Sequence, residues 1–146
     1  MRVLALDPGG TTGWALFNNE NLFSAGVIRN GLDGFRAWTA LAMPTHTHLV
    51  VEDFVVEPGF VGRPEASEII GAAFALSPAK KYRQLRSQKA TLINGTEAER
   101  FTWLRERGFG GMTHELDAVT HALLFLRRMN HVPTIKKYWY EESPAD

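Results

Sequence analysis

The sequence predicts one α/β domain, and three observations carry that prediction. Short runs rich in valine, leucine and alanine alternate with segments whose apolar residues recur at helical spacing, in the order β-β-β-α-β-α-β-α-α. The 146 residues suffice to bury about two thirds of the extended-chain surface in a single core. Apolar residues make up 45% of the chain, a globular proportion.

Val3–Leu6 is an apolar strand that ends on Asp7. The turn Pro8–Gly13 returns the chain into a second strand, Trp14–Phe17, and Asn18, Asn19 and Glu20 turn it again into an antiparallel third, Asn21–Ile28. Leu32, Phe35, Trp38, Leu41 and Ala42 share helical spacing, and Pro44 ends that helix. His48–Val56 is dominated by valine and reads as a central buried strand. Pro58, Gly59, Gly62 and Pro64 mark a loop, followed by a helix over Glu65–Leu76. Its small residues Gly71, Ala72 and Ala73 permit close approach of another element.

Tyr82–Arg86 is a short fifth strand. Thr96 is placed to cap a helix that runs to Arg107, with Glu97 and Glu99 in its first turn. Thr113 is expected to cap a last helix from His114 to about Met129, whose closing Arg127 and Arg128 suit the helix dipole. The domain is expected to span residues 1–130. Residues 131–146 read as an irregular tail, because Pro133, Pro144 and mixed charge interrupt it. Its Lys136, Lys137, Tyr138, Trp139 and Tyr140 are expected to pack on the domain or a partner rather than on DNA.

Composition narrows the chemistry. The chain has no cysteine, which excludes disulfides and thiolate metal sites. It has no apolar run near eighteen residues and no signal-peptide pattern, so a cytoplasmic protein without membrane contact is expected. Sixteen basic and sixteen acidic residues argue against a general nucleic-acid coat. Local charge is uneven. Lys80, Lys81, Arg83, Arg86 and Lys89 surround Tyr82 with no acid among them, a patch suited to phosphates.

Three apolar elements each carry an acid. Asp7 ends the first strand, Glu52 or Asp53 lies in the valine-rich strand, and Asp117 lies on the last helix. An unpaired charge in such positions costs several kcal/mol. Convergent carboxylates would therefore suit a hard divalent cation. Glu52 and Asp53 point to opposite faces, and the apolar pattern does not choose between them. His114 and His121 lie three before and four after Asp117, on its face of the helix. His114, near the helix start, is the favoured fourth site residue. His121, a turn deeper, reads as a hydrogen-bonded core residue.

Leu-Ala-Leu-Asp7-Pro-Gly-x-x-Thr-Gly-Trp-Ala resembles the first motif of the RuvC-type Holliday junction resolvases. Val50-Val51-Glu52 is similar to their second acidic strand, and His114-Glu-Leu-Asp117-Ala-Val to their last motif. Gln88-Lys89 and Gly95–Arg100 resemble their basic stretch, with Arg100 where a lysine is common. This resemblance selects Glu52 over Asp53. It implies an RNase H-like fold, a mixed five-stranded sheet in the order 3-2-1-4-5 with helices on both faces. It also implies Mg²⁺- or Mn²⁺-dependent hydrolysis of branched DNA by a homodimer, with two ions held by Asp7, Glu52, His114 and Asp117.

By the same resemblance Lys89 and Arg100 face the phosphate, while Arg83, Arg86 and a wedging Phe60 contact DNA. The compact, charge-balanced chain points to a phage-encoded version. The other readings are an RNase H-like nuclease for flaps, forks or RNA–DNA hybrids, and a non-catalytic nucleic-acid-binding module. An actin-like ATPase shares the Asp7 turn but needs a second domain, so no nucleotide cofactor is expected.

Overall fold

The computed structural model describes residues 1–54, 58–59 and 64–140. Its strands are β1 (Arg2–Asp7), β2 (Thr12–Asn18), β3 (Asn21–Ile28), β4 (His48–Asp53) and β5 (Lys80–Leu85). Its helices are α1 (Gly31–Leu41), α2 (Glu65–Leu76), α3 (Glu97–Glu106), α4 (Thr113–Arg128) and α5 (Val132–Trp139), with a 3-10 helix at Arg86–Thr91. The sheet order is β3-β2-β1-β4-β5. β1–β2 and β2–β3 pair antiparallel, whereas β1–β4 and β4–β5 pair parallel. This is the mixed five-stranded sheet of the RNase H-like fold.

Alternation along the central strands builds two apolar layers. Val3, Ala5 and Val50 pack with Leu116, Val119, Leu123 and Phe125 of α4. Leu4, Leu6, Leu49 and Val51 pack on the opposite face with Phe35 of α1 and Ile69, Ile70 and Ala73 of α2. Both faces of β1 and β4 are covered, which is why these strands read as continuous apolar runs. α4 is buried throughout Leu116–Leu126. Each large apolar side chain taken fully from water contributes about 1.5–3 kcal/mol, so this helix is held strongly even though it carries buried polar groups.

Several boundaries differ from the sequence expectation. β5 begins at Lys80 and stops at Leu85, and Arg86 opens the 3-10 helix. Met112, not Thr113, holds the N-cap position of α4, with no side-chain cap. β4 ends at Asp53, and Phe54 packs with the α1–α2 layer. The rest of the expected strand, Val55 and Val56, and the proposed wedge Phe60 lie outside the described residues.

The segment from Val132 is helical rather than irregular. Pro133 sits in the first turn, where a missing N–H costs nothing. Tyr138 then packs its ring 5.3 Å from that of Phe109 and donates its hydroxyl to the Glu20 carbonyl at 2.6 Å. Trp139 packs against Trp103 and donates to the Leu92 carbonyl at 3.1 Å. Aromatic burial outweighs the weak intrinsic helicity of eight residues.

One glycine sets how closely α4 approaches the sheet. Gly13 pairs with Asp7 across the first hairpin. A Cβ built there would lie 1.9 Å from the backbone oxygen of His114. The first turn of α4 therefore rests directly on the backbone of β2. Gly13→Ala should force the two apart at a cost of about 1–3 kcal/mol, typical of overpacking. The expected readout is a fall of several degrees in the thermal unfolding midpoint, and an unchanged midpoint would disprove the contact.

Candidate active site

Parallel pairing brings the acids together. β1 and β4 run the same way, and the last paired residues are Leu6 and Val51. One step further, Asp7 and Glu52 emerge side by side on the face covered by α4. The alternation places Asp7 with Val3 and Ala5, and Glu52 with Val50. α4 crosses the same face and adds Asp117 two turns or less from its N-terminus. Asp7, Glu52 and Asp117 are all buried. Asp53 points away and pairs with Arg83 at 3.3 Å.

The Lys89 ammonium, itself buried, stands between two of the acids. Its Nζ lies 3.2 Å from Glu52 Oε2 and 3.2 Å from Asp117 Oδ2. Arg100, also buried, places Nη2 3.4 Å from Asp117 Oδ1. Its Nε is buried with no hydrogen-bond partner among the described residues. His114 Nδ1 is hydrogen-bonded to Asp7 Oδ2 at 3.2 Å, and the His114 side chain is 44% exposed. His121 is fully buried and places Nε2 3.0 Å from Glu52 Oε2.

The sequence candidates thus separate into groups. Asp7, Glu52, Asp117, His114, Lys89 and Arg100 come together. Arg86 stands at the margin, 83% exposed, with Nε 4.0 Å from Glu52 Oε1. Arg83 is turned to the other face, over the ring of Phe74, and takes no part in the cluster. The basic stretch is therefore divided, with Lys89 inward and Lys80, Lys81 and Arg86 outward. Sequence reasoning missed Gln84, which is buried and donates to His121. No signal marked it, because Lys-Lys-Tyr-Arg-Gln reads as an exposed strand. His121 was visible by its spacing from Asp117, but not its contact with Glu52.

Electrostatics divides the two strand acids. Burial first, then the negative charge of Glu52, pushes the Asp7 carboxyl up to about 7, against the opposing hydrogen bond of His114. Burial would also raise Glu52, but the His121 hydrogen bond and the Lys89 charge outweigh it and hold that group at about 2. Asp7 also shares a hydrogen bond with Glu52. Near neutral pH Glu52 is therefore ionised while Asp7 is close to half protonation.

The donor set fits a hard divalent cation. It offers three carboxylates and an imidazole, and burial together with the charge of Glu52 raises Asp7 in a way that added positive charge would relieve. No three His, Asp or Glu side chains among the described residues already stand grouped as ligands. Lys89 and the Asp7 proton are what neutralise the acids here.

Comparison with solved structures agrees with this architecture. The chain superposes on Thermus thermophilus RuvC with a TM-score of 0.63 and 16% identity, over 90% of this chain and 98% of that one. It superposes on T. thermophilus RuvC in complex with Holliday junction substrate with a TM-score of 0.59 and 16% identity, over 90% and 97%. The fold is RuvC-type. No protein-family model and no curated protein matches the chain. Among the described residues no helix is long and apolar enough to cross a membrane.

The Asp7 shift has a sign that can be measured. Its folded value, about 7, lies above its ordinary 3.8, so the folded state binds the proton more tightly. The stability this contributes is complete below about pH 4 and is lost as pH rises through 7. In chelator, Asp7→Asn should match the wild-type thermal midpoint at pH 4 and exceed it by several degrees at pH 8. A variant no more stable at pH 8 would show that Asp7 is not held against its charge.

Proposed function

We propose that this chain is a divalent-cation-dependent endodeoxyribonuclease that resolves four-way DNA junctions by paired nicking. The observation that carries this reading is the burial of Asp7, Glu52 and Asp117, with His114 and two cationic side chains, at the C-terminal ends of the central strands of a RuvC-type sheet. Support also comes from the neighbour of the same fold whose structure holds a Holliday junction.

Asp7, Glu52, Asp117 and His114 would hold Mg²⁺ or Mn²⁺, one or two ions, which when bound would activate water and stabilise the leaving 3′ oxygen. The chain's own groups prepare the rest. His114 is tied to Asp7 through Nδ1, so its other nitrogen, Nε2, is the one left either to ligate an ion or to take a proton from water. Lys89 and Arg100 offset the negative charge that a phosphate brings into an acidic site. Exposed Arg86, at the margin of the cluster, suits a neighbouring backbone phosphate.

A homodimer matches the two-fold symmetry of a four-way junction. The outer side of α2 suits its seam at Gly71, which is exposed with open space around it, whereas Ala73 is buried in the chain's own core.

The deciding experiment offers junction, flap, fork, linear duplex and RNA–DNA hybrid side by side with Mg²⁺ or Mn²⁺. Symmetric paired nicks in the junction are expected, none in excess EDTA, and none from Asp7→Asn, which should still shift the junction in a gel. Undiminished cutting in EDTA would refute the cation requirement, and preference for flap, fork or hybrid would redirect the substrate class. His114→Ala should lower cleavage about 10²–10⁴-fold with junction binding unchanged. A loss under threefold would remove His114 from the chemistry.

A further inference from the structure

We propose that Gln84 and His121 form a positioning relay that presents a single N–H donor to Glu52 and so fixes the orientation of that carboxylate. The inference rests on Glu52 being a cation ligand, as proposed above.

The argument begins at an atom with only one role. The backbone oxygen of His121 can only accept, and Gln84 Nε2 lies 2.9 Å from it. That contact determines which end of the Gln84 amide is nitrogen, because the reverse placement would set two oxygens against each other. The second proton of the same Nε2 is then directed at His121 Nδ1, 3.0 Å away. Nδ1 must accept, so the proton of the neutral ring resides on Nε2. Nε2 is the atom 3.0 Å from Glu52 Oε2. One carbonyl thus determines an amide, the amide determines a tautomer, and the tautomer makes the ring a donor to the carboxylate.

Position reinforces the sequence of contacts. Glu52 and Gln84 are direct partners in the β4–β5 register, so both side chains stand on the α4 face. His121 lies on α4 above them. Gln84 and His121 are 1% and 0% exposed, so water does not compete for either bond. Lys89 reaches the same Oε2 at 3.2 Å, but an ammonium has three freely rotating donors and sets no plane. The planar imidazole does set one, as outer partners of ligating carboxylates generally do.

The test uses the whole chain without DNA. Nitrogen-15 correlation spectra of the histidine rings, with His121→Gln used for assignment, should show His121 protonated at Nε2 and bare at Nδ1. Mn²⁺ titration calorimetry should show His121→Leu binding about 10–100-fold more weakly than wild type. His121→Gln, whose amide donor reaches the place of Nε2, should recover most of that loss. A purely structural role would not be rescued in this way. Gln84→Leu should loosen the tautomer preference in the spectra and weaken Mn²⁺ binding by a smaller factor.

A proton on Nδ1 in the unaltered protein overturns the relay, whatever the variants do. So does His121→Leu binding Mn²⁺ within twofold of wild type while Glu52→Gln has lost it. Glu52→Gln binding Mn²⁺ as well as wild type overturns the cation reading itself, and the relay with it.

Discussion

Three carboxylates share one buried corner of the sheet, and their mutual repulsion is the constraint to which the surrounding structure answers. A single buried and unpaired charge costs several kcal/mol, so three in one place cannot stand alone. Asp7 keeps a proton up to about pH 7, Glu52 leans on His121 and Lys89, and Asp117 is gripped by Lys89 and Arg100. The remaining cost is borne by α4, whose apolar residues from Leu116 to Leu126 anchor it across the sheet. Gly13 then lets its first turn settle on β2, bringing His114 to Asp7.

On the proposed function, the same neutralisation would prepare the corner for a polyanion. A phosphodiester approaching bare carboxylates would be repelled, whereas Lys89 and Arg100 lower that barrier without being free to wander. Both are buried, so neither spends much side-chain entropy when a phosphate arrives. The unequal protonation of Asp7 and Glu52 also gives the two strand acids different parts. Glu52 is a ready anion, whereas Asp7 ionises only as pH rises through about 7 or as positive charge comes near.

Much of this was legible in the sequence, and the illegible parts have physical causes. Asp7 announced itself because a strand ended on it before a glycine-rich turn, and Asp117 because it sat on a strongly apolar helix. Glu52 and Asp53 could not be separated by pattern, since β4 is covered on both faces and alternation carries no polarity signal there. The inward turn of Lys89 depends on a 3-10 helix that no periodicity marks. Gln84 was hidden because its neighbours along β5 are exposed and basic. α5 was hidden because Pro133 reads as a breaker, although in a first turn it is nothing of the kind.

The acids come from β1, β4 and α4, and their sequence positions are 7, 52 and 117. No local segment carries two of them with a neutralising partner close in the chain. A partly ordered chain therefore lacks the cluster altogether, since losing any of the three elements disperses the charge that the others were built to share. Assembly of the acidic cluster and global cooperativity become the same transition.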